Sequence, residues 1–377
     1  MSTTKIPDKI IKLLLIKSGG RCQYKGCNIS LYQDLVTKRF FNKAYLAHIV
    51  ADSPGGPRGD ATRSTLLAKE LSNIMLLCDT HHRLVDRIEV DEHPESLLLE
   101  MKKEQEERIE RITAINPNSQ SHIITYKANV GEHTPVLLYE TLVEHLLPEH
   151  YPAQSNTIDL GLTDSPIRDK DEEFWITEIK VLTENFNQRL ANSIRQQNIK
   201  HISLFAFAPM PLLVKLGTLI NDIQNVEIYQ PIRNPKTWKL SNDSIDTIDT
   251  IYKISKPKSI NTLVALNISL SATINNERIT KVLGDDCSIY TLTIDTPFND
   301  YLQSKIQLRD FSIAMRHLFD EIKSNYTSKT ELHMFPAMPI AIAIELGRIW
   351  MPKADMPLTI YDENKTFNGF NKTIEIC

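Results

Sequence analysis

No apolar run in the 377 residues approaches the roughly 18–20 needed to cross a bilayer, so a membrane-spanning role is not expected. The most apolar early stretch, Ile10-Ile-Lys-Leu-Leu-Leu-Ile16, is broken by Lys12 and has no small-residue cleavage site. It reads as an amphipathic helix and not as a signal peptide. Cysteine is also scarce: five residues, an odd number, with Cys22, Cys27 and Cys78 in the first quarter and Cys287 and Cys377 far away. That pattern argues against a disulfide scaffold and for a reduced, cytoplasmic protein with a metal site. Hydrophobic content of 41% and charged content of 24% are ordinary for a soluble globular chain, and the length suits two or three domains.

The small net charge of −4 conceals an asymmetry. Residues 1–83 carry 13 Lys or Arg against 6 Asp or Glu, a balance of +7, which leaves −11 for the remainder. A basic head on an acidic body suggests that the head meets a polyanion. Residues 1–92 form this metal-rich head. Residues 93–121 read as a connecting segment: Glu and Lys at helical spacing predict an exposed helix over 94–111, followed by the linker Asn116-Pro-Asn-Ser-Gln-Ser121. From residue 122 to 377, short apolar strands alternate with helical segments, which predicts an α/β body.

The body contains an internal repeat, about 201–230 against 331–362. Phe205-Ala-Phe-Ala-Pro-Met-Pro211 aligns without gaps on Phe335-Pro-Ala-Met-Pro-Ile-Ala341, and Leu216-Gly217 on Leu346-Gly347. Val226-Glu-Ile-Tyr-Gln230 then corresponds to Leu358-Thr-Ile-Tyr-Asp362. Each half reads as strand, Pro-containing turn, helix, strand. Two such units side by side would aim two helix starts, after Pro209 and Pro339, at one crevice suited to a two-fold-like ligand with two phosphates. The alternative is that these prolines only close loops.

Cys22-x4-Cys27 and Cys78-x2-His81 are two knuckle-like ligand pairs, and a closed set of four suits structural Zn2+. The alternatives are buried apolar cysteines with His81 capping a helix, or a degenerate site. A second set comprises His48, Asn73, His82 and Asp86. His48 follows the β-like Ala44-Tyr-Leu-Ala47, and His82 and Asp86 are spaced i, i+4, as two ligands of a divalent cation could be. Phosphodiester hydrolysis needs a base for water and neutralisation of phosphate charge, which an imidazole and Mg2+ would supply. The alternative for His48 alone is a hydrogen-bonded structural histidine.

Ala47-His-Ile49, the loop Ser53-Pro-Gly-Gly-Pro-Arg-Gly-Asp60 and Asn73-Ile-Met-Leu-Leu-Cys-Asp-Thr-His-His-Arg-Leu-Val-Asp86 together resemble the HNH endonuclease ββα-metal motif. The resemblance implies His48 as general base, Asn73 as the middle Asn and His82 as a ligand of catalytic Mg2+. Many relatives carry Asp or His where this chain has Ala47, so Asp86 is expected to take more of the coordination; many carry Cys where His81 stands. His201-Ile-Ser-Leu-Phe-Ala-Phe-Ala-Pro-Met-Pro211, Tyr229-Gln-Pro-Ile-Arg-Asn-Pro-Lys-Thr-Trp238 and Leu332-His-Met-Phe-Pro-Ala-Met-Pro339 resemble the SAVED domain, two fused CARF-like Rossmannoid units that sense cyclic oligonucleotides. The order resembles a nuclease effector of CBASS anti-phage systems. It implies an HNH head that cuts double-stranded DNA once a cyclic di- or trinucleotide drives assembly of the chain, to a tetramer.

Within the body, the expected ligand contacts are aromatic platforms (Phe205, Tyr229, Trp238 and Phe335), the turns at Pro209 and Pro336, the hydroxyls of Ser269 and Ser271, and Lys236 or His333 for phosphate. Core packing is the alternative reading for the rings. Two rival functions remain at this point: a DNA-binding regulator that does not cut, and a restriction-type nuclease dependent on modified DNA.

Overall fold

Pro7 and Gly19 bound the first helix, α1 (Asp8–Ser18): Pro7 occupies the N-cap, and Gly19 takes a left-handed φ of 60° that ends it. The computed structural model describes residues 4–377 except 35, 117, 163–164, 197, 221–222, 224, 243–251, 328 and 365–368. The described chain divides into two compact units, 1–116 and 117–377.

In the first unit, β1 (Tyr45–His48) pairs antiparallel with β2 (Ile74–Leu77), in a register that sets Ala47 against Met75 and His48 against Ile74. Between them lies α2 (Arg63–Leu67). All four residues of β2 are buried, as its apolar run Ile-Met-Leu-Leu requires. The chain then enters α3 (Asp79–Arg83), with Cys78 as its N-cap, and a wider turn over Leu84–Ile88. The helix expected over 94–111 is α4 (Glu95–Thr113). It is not exposed all round: Leu98, Met101, Lys102 and Gln105, at i, i+3, i+4 and i+7, form a buried stripe. Gln105 donates to the carbonyl of Ser18 at 2.8 Å, at the end of α1. The helix therefore folds within the first unit and is not a free connector. Pro117, in the expected linker, lies outside the described residues.

The second unit holds two sheets. The first uses β3 (Gln120–Lys127), β4 (Tyr151–Pro152), β5 (Ile158–Asp159), β6 (Ile202–Phe207) and β7 (Val226–Tyr229), with β3, β6 and β7 parallel. Helices α5 (Tyr139–Leu146), α6 (Phe174–Asn185), α7 (Asn192–Arg195) and α8 (Met210–Leu219) accompany it. The second sheet runs β13-β12-β11-β9-β10-β8. Its strands are β8 (Lys253–Ser255), β9 (Leu263–Ser269), β10 (Cys287–Thr293), β11 (Leu332–Ala337), β12 (Leu358–Asn364) and β13 (Gly369–Ile376). The four central strands are parallel and both edge strands antiparallel. Its helices are α9 (Asn276–Leu283), α10 (Lys305–Asn325) and α11 (Ile340–Ile349). A capping box, Ser304 with Gln307, starts α10.

The two matched sequence segments fold as β6-α8-β7 and β11-α11-β12. Parallel strands covered on both faces read as near-continuous apolar runs, and five of the six residues of β6 are buried. One apolar core, including Leu204, Val214, Leu266, Ile344 and Ile360, runs through both halves of the second unit. Among the described residues no helix is long and apolar enough to cross a membrane.

Candidate functional site

The head gathers the four ligand side chains expected from the sequence. One ligand atom from each of Cys22, Cys27, Cys78 and His81 lies within 4.8 Å of the others. The register of β2 delivers Cys78 to the start of α3, and the first turn of that helix returns His81 Nδ1 to 3.1 Å from its sulfur. Cys22 Sγ accepts from the Cys78 amide at 3.4 Å, and Tyr24 stacks on the His81 ring at 4.0 Å. Burial pushes the Cys22 thiol up to about 12, and burial together with His93 lowers His81, which favours its neutral imidazole. Three sulfurs and one neutral imidazole at this spacing are a donor set that fits tetrahedral zinc, whose charge would favour the thiolates.

His48 is the last residue of β1 and is buried; its Nε2 lies 2.9 Å from the carbonyl of Ala68. A carbonyl only accepts, so Nε2 carries the proton and Nδ1 keeps the lone pair. Asn73 is also buried and grips the residue two after His48: its Oδ1 accepts from the Val50 amide at 2.8 Å, and its Nδ2 donates to the Val50 carbonyl at 2.8 Å. His82 Nε2 and Asp86 Oδ2 lie 3.3 Å apart, one helical turn having brought them to one face. Tyr45 of β1 stacks on the His82 ring at 4.6 Å.

Arg58 was not singled out by sequence reasoning. It lies in the expected loop 53–60 with a left-handed φ of 52°. Its guanidinium donates to Ile49 O at 2.7 Å, to Val85 O at 2.9 Å and to Asp86 Oδ1 at 2.6 Å. It thereby ties the residue after His48 to the helical turn that carries Asp86. His82 and Asp86 fit a shared divalent cation through Nε2 and Oδ2, while the second Asp86 oxygen is held by Arg58. The position before His48, Ala47, is buried and apolar and offers no ligand.

The body corrects several expected ligand contacts. Tyr229 and Phe335 are 1% and 0% exposed, and Phe205 is equally buried. Phe205 stacks on Tyr229 at 4.2 Å, and its repeat partner Phe335 stacks on Tyr361 at 4.4 Å. These rings serve as each other's flat partners and have no free face for a base. Pro209 and Pro336 are buried as well, and Ser269 spends its hydroxyl on Asn267 and the Ile274 amide. His333 faces Tyr361 Oη at 3.2 Å, near the amino end of β11 and away from the helix starts. Trp238 keeps some exposed surface while packing edge-on against Phe205 at 5.5 Å, and Lys236 is exposed.

The two helix starts do adjoin. Pro209 and Pro339 are the N-caps of α8 and α11, and Met210 Sδ accepts from the Met338 amide at 3.4 Å. Half-exposed Ser271 lies beside them, its amide on Ala337 O at 2.8 Å. One first-turn amide of α11, Ala341 N, is already taken by Gln230 Oε1 at 2.9 Å. Gln230 is a buried polar residue that the repeat flagged only as a position next to Tyr229.

Paired parallel sheets with helix starts meeting at their carboxyl ends define a Rossmann-like binding module. Residues 182–376 match the family model SAVED, the SMODS-associated and fused to various effectors sensor domain. That match covers more than half of the chain, which therefore belongs to this family. Among solved structures, the chain is similar to the Acinetobacter baumannii Cap4 SAVED/CARF-domain containing receptor with the cyclic trinucleotide 2'3'3'-cAAA: 13% identity, 74% of this chain, 55% of that one, TM-score 0.43. It is also similar to the Moraxella osloensis Cap4 receptor, at 13% identity over 83% of this chain and 70% of that one, with TM-score 0.38. The chain thus spans about half the length of the Acinetobacter receptor. No curated protein matches it.

Proposed function

We propose that this chain is a metal-dependent DNA endonuclease of the HNH type, gated by a cyclic oligonucleotide, and an effector of CBASS-type anti-phage defence. The observation that carries the reading is the joining, in one chain, of a ββα element bearing His48 and His82 beside a Cys3His ligand set with a SAVED sensor domain. Neither the cutting nor the metals follow from the family alone; they rest on the head.

In this reading His48 Nδ1 takes a proton from the attacking water, because Ala68 O holds the other nitrogen in its N–H form. Asn73 keeps Val50, and with it the turn after His48, in place. His82 and Asp86 would hold Mg2+, which supplies charge neutralisation at the phosphate and the leaving oxygen. Cys22, Cys27, Cys78 and His81 would hold structural Zn2+. The +7 balance of residues 1–83 attracts the duplex. Ligand binding to the sensor drives assembly, to a tetramer, that brings heads together on DNA.

A second reading has its own support. Ala47 gives no ligand and Arg58 already pairs with Asp86, which suits a head that binds DNA without cutting. One experiment separates the two: the full chain with supercoiled plasmid, Mg2+ and a panel of cyclic di- and trinucleotides, reading DNA integrity and particle mass together. Cyclic triadenylates are the first class to try. Degradation that appears only with one ligand, alongside a rise in mass, is expected. Intact plasmid despite ligand-driven assembly supports the non-cleaving regulator, and intact plasmid with no change in mass for any ligand overturns the gated nuclease.

A further inference from the structure

A second cluster of side chains that could ligate a metal lies in the body, where no metal-ligand spacing in the sequence points. His150 follows α5, His201 immediately precedes β6, and Glu227 is the second residue of β7. The parallel register sets these strand starts side by side, Ile202 against Val226 and against His122 of β3. One ligand atom from each of the three residues lies within 4.8 Å of the other two. The cluster stands at the amino ends of the strands, whereas the helix starts at Pro209 and Pro339 stand at the carboxyl ends. It is therefore separate from the sensor crevice and does not depend on the nuclease reading.

Its polar atoms are arranged in a way that hydrogen bonding alone leaves unexplained. His150 Nδ1 is buried without a hydrogen-bond partner among the described residues, and it faces Glu227 Oε2 at 3.6 Å, at ion-pair distance. Buried polar atoms are nearly always satisfied, and a cation shared by His150 Nδ1 and Glu227 Oε2 would satisfy this one. Two ligands bound at about 2.0–2.1 Å to one tetrahedral ion stand about 3.3 Å apart, close to this separation. His201 has the outer support usual for a metal-ligating histidine: its Nδ1 lies 2.8 Å from Ser121 Oγ, which in turn lies 2.8 Å from Ser203 Oγ. That leaves Nε2 available. Tyr229 donates to Glu227 Oε2 at 3.2 Å, and Lys305 pairs with the other carboxylate oxygen.

From this geometry we infer that His150, His201 and Glu227 form a binding site for a zinc-class divalent cation. Two imidazoles and a carboxylate suit Zn2+ or Co2+ over Mg2+ or Ca2+. The imidazoles stack at 3.7 Å with their planes 14° apart, so joint ligation of one ion would require the two rings to rotate out of this stack. Three protein ligands leave the fourth position open. The three side chains line a cavity of about 520 Å³ together with Lys305, Arg309 and Arg348, so an anionic group would suit that position.

The test uses the full chain, loaded with zinc, desalted and analysed for metal content, with Cys78→Ser, His150→Gln and Glu227→Gln beside the wild type. Two zinc ions per wild-type chain are expected, one lost in His150→Gln and in Glu227→Gln, and the other in Cys78→Ser. In zinc titrations the two body variants weaken the second binding event at least tenfold. In the unsubstituted chain, zinc should also protect His150 and His201 from diethyl pyrocarbonate, read by mass spectrometry, which needs no variant to fold. The site is overturned if both body variants keep the wild-type zinc count and affinity, or if zinc leaves the labelling of both histidines unchanged. A single zinc that His150→Gln removes and Cys78→Ser retains upholds it, and counts instead against zinc in the head.

Discussion

Gly217 of α8 and Gly347 of α11 meet face to face where the two helices cross. A Cβ on Gly217 would stand 2.1 Å from Ile344 O and 2.8 Å from the Gly347 Cα; one on Gly347 would stand 2.0 Å from Val214 O and 2.9 Å from the Gly217 Cα. The contact is reciprocal and joins equivalent positions of the repeat, as a pseudo-two-fold axis between the halves requires. Each obstruction is backbone, which cannot rotate aside. Gly217→Ala and Gly347→Ala should each destabilise the second unit by about 2 kcal/mol or more. The double variant should cost less than the sum, because the first methyl group already separates the helices. Urea denaturation reads this, and unchanged midpoints for both single variants would refute the close crossing.

His48→Ala should abolish DNA cleavage while leaving ligand-driven assembly intact. His48 sits in the first unit and the sensor domain in the second, so particle mass with ligand should match the wild type. Full-rate cutting by this variant would remove His48 from the mechanism.

Cys22→Ser removes one of the four candidate zinc ligands from a unit with a small apolar core. It should lower the melting temperature of the first unit selectively, and a strong chelator should do the same to the wild type. Should calorimetry find the same melting profile for all three samples, with no bound zinc, the Cys3His set holds no structural metal.

Glu178 of α6 is 1% exposed, and neither carboxylate oxygen has a hydrogen-bond partner among the described residues. Burial pushes its carboxyl up to about 7, against an ordinary value of 4.5. Below pH 4.5 the group is protonated folded or unfolded and costs nothing. Between 4.5 and 7 the unfolded chain releases the proton while the folded chain keeps it, so stability falls as pH rises through that window. Glu178→Gln should flatten the slope and stabilise the second unit at pH 8, by at most about 3 kcal/mol. Equal slopes for variant and wild type between pH 4.5 and 7 would contradict the burial cost.

Chemistry within one turn or one strand was open to sequence reasoning. Cys78-x2-His81 and the i, i+4 pair His82 and Asp86 are close because helical geometry alone brings them together. The repeat was readable for a related reason: an offset of 130 residues carries Phe205 to Phe335 and Gly217 to Gly347 whatever the rest of the chain does. Stacking of Phe205 on Tyr229, which turned expected base platforms into core, was not readable. An aromatic residue on a strand looks the same whether its other face meets solvent or a neighbouring ring.

Residue types, their spacing and the duplication were thus determined by the sequence alone, since each is a local or a periodic property. The tertiary structure decided which of those groups remain available. Sheet register joins His150, His201 and Glu227 across 77 residues of chain. A loop of no regular structure delivers Arg58 to Asp86. Both depend on how strands and turns pack, because long-range proximity comes from the closing of the core and not from the order of the residues.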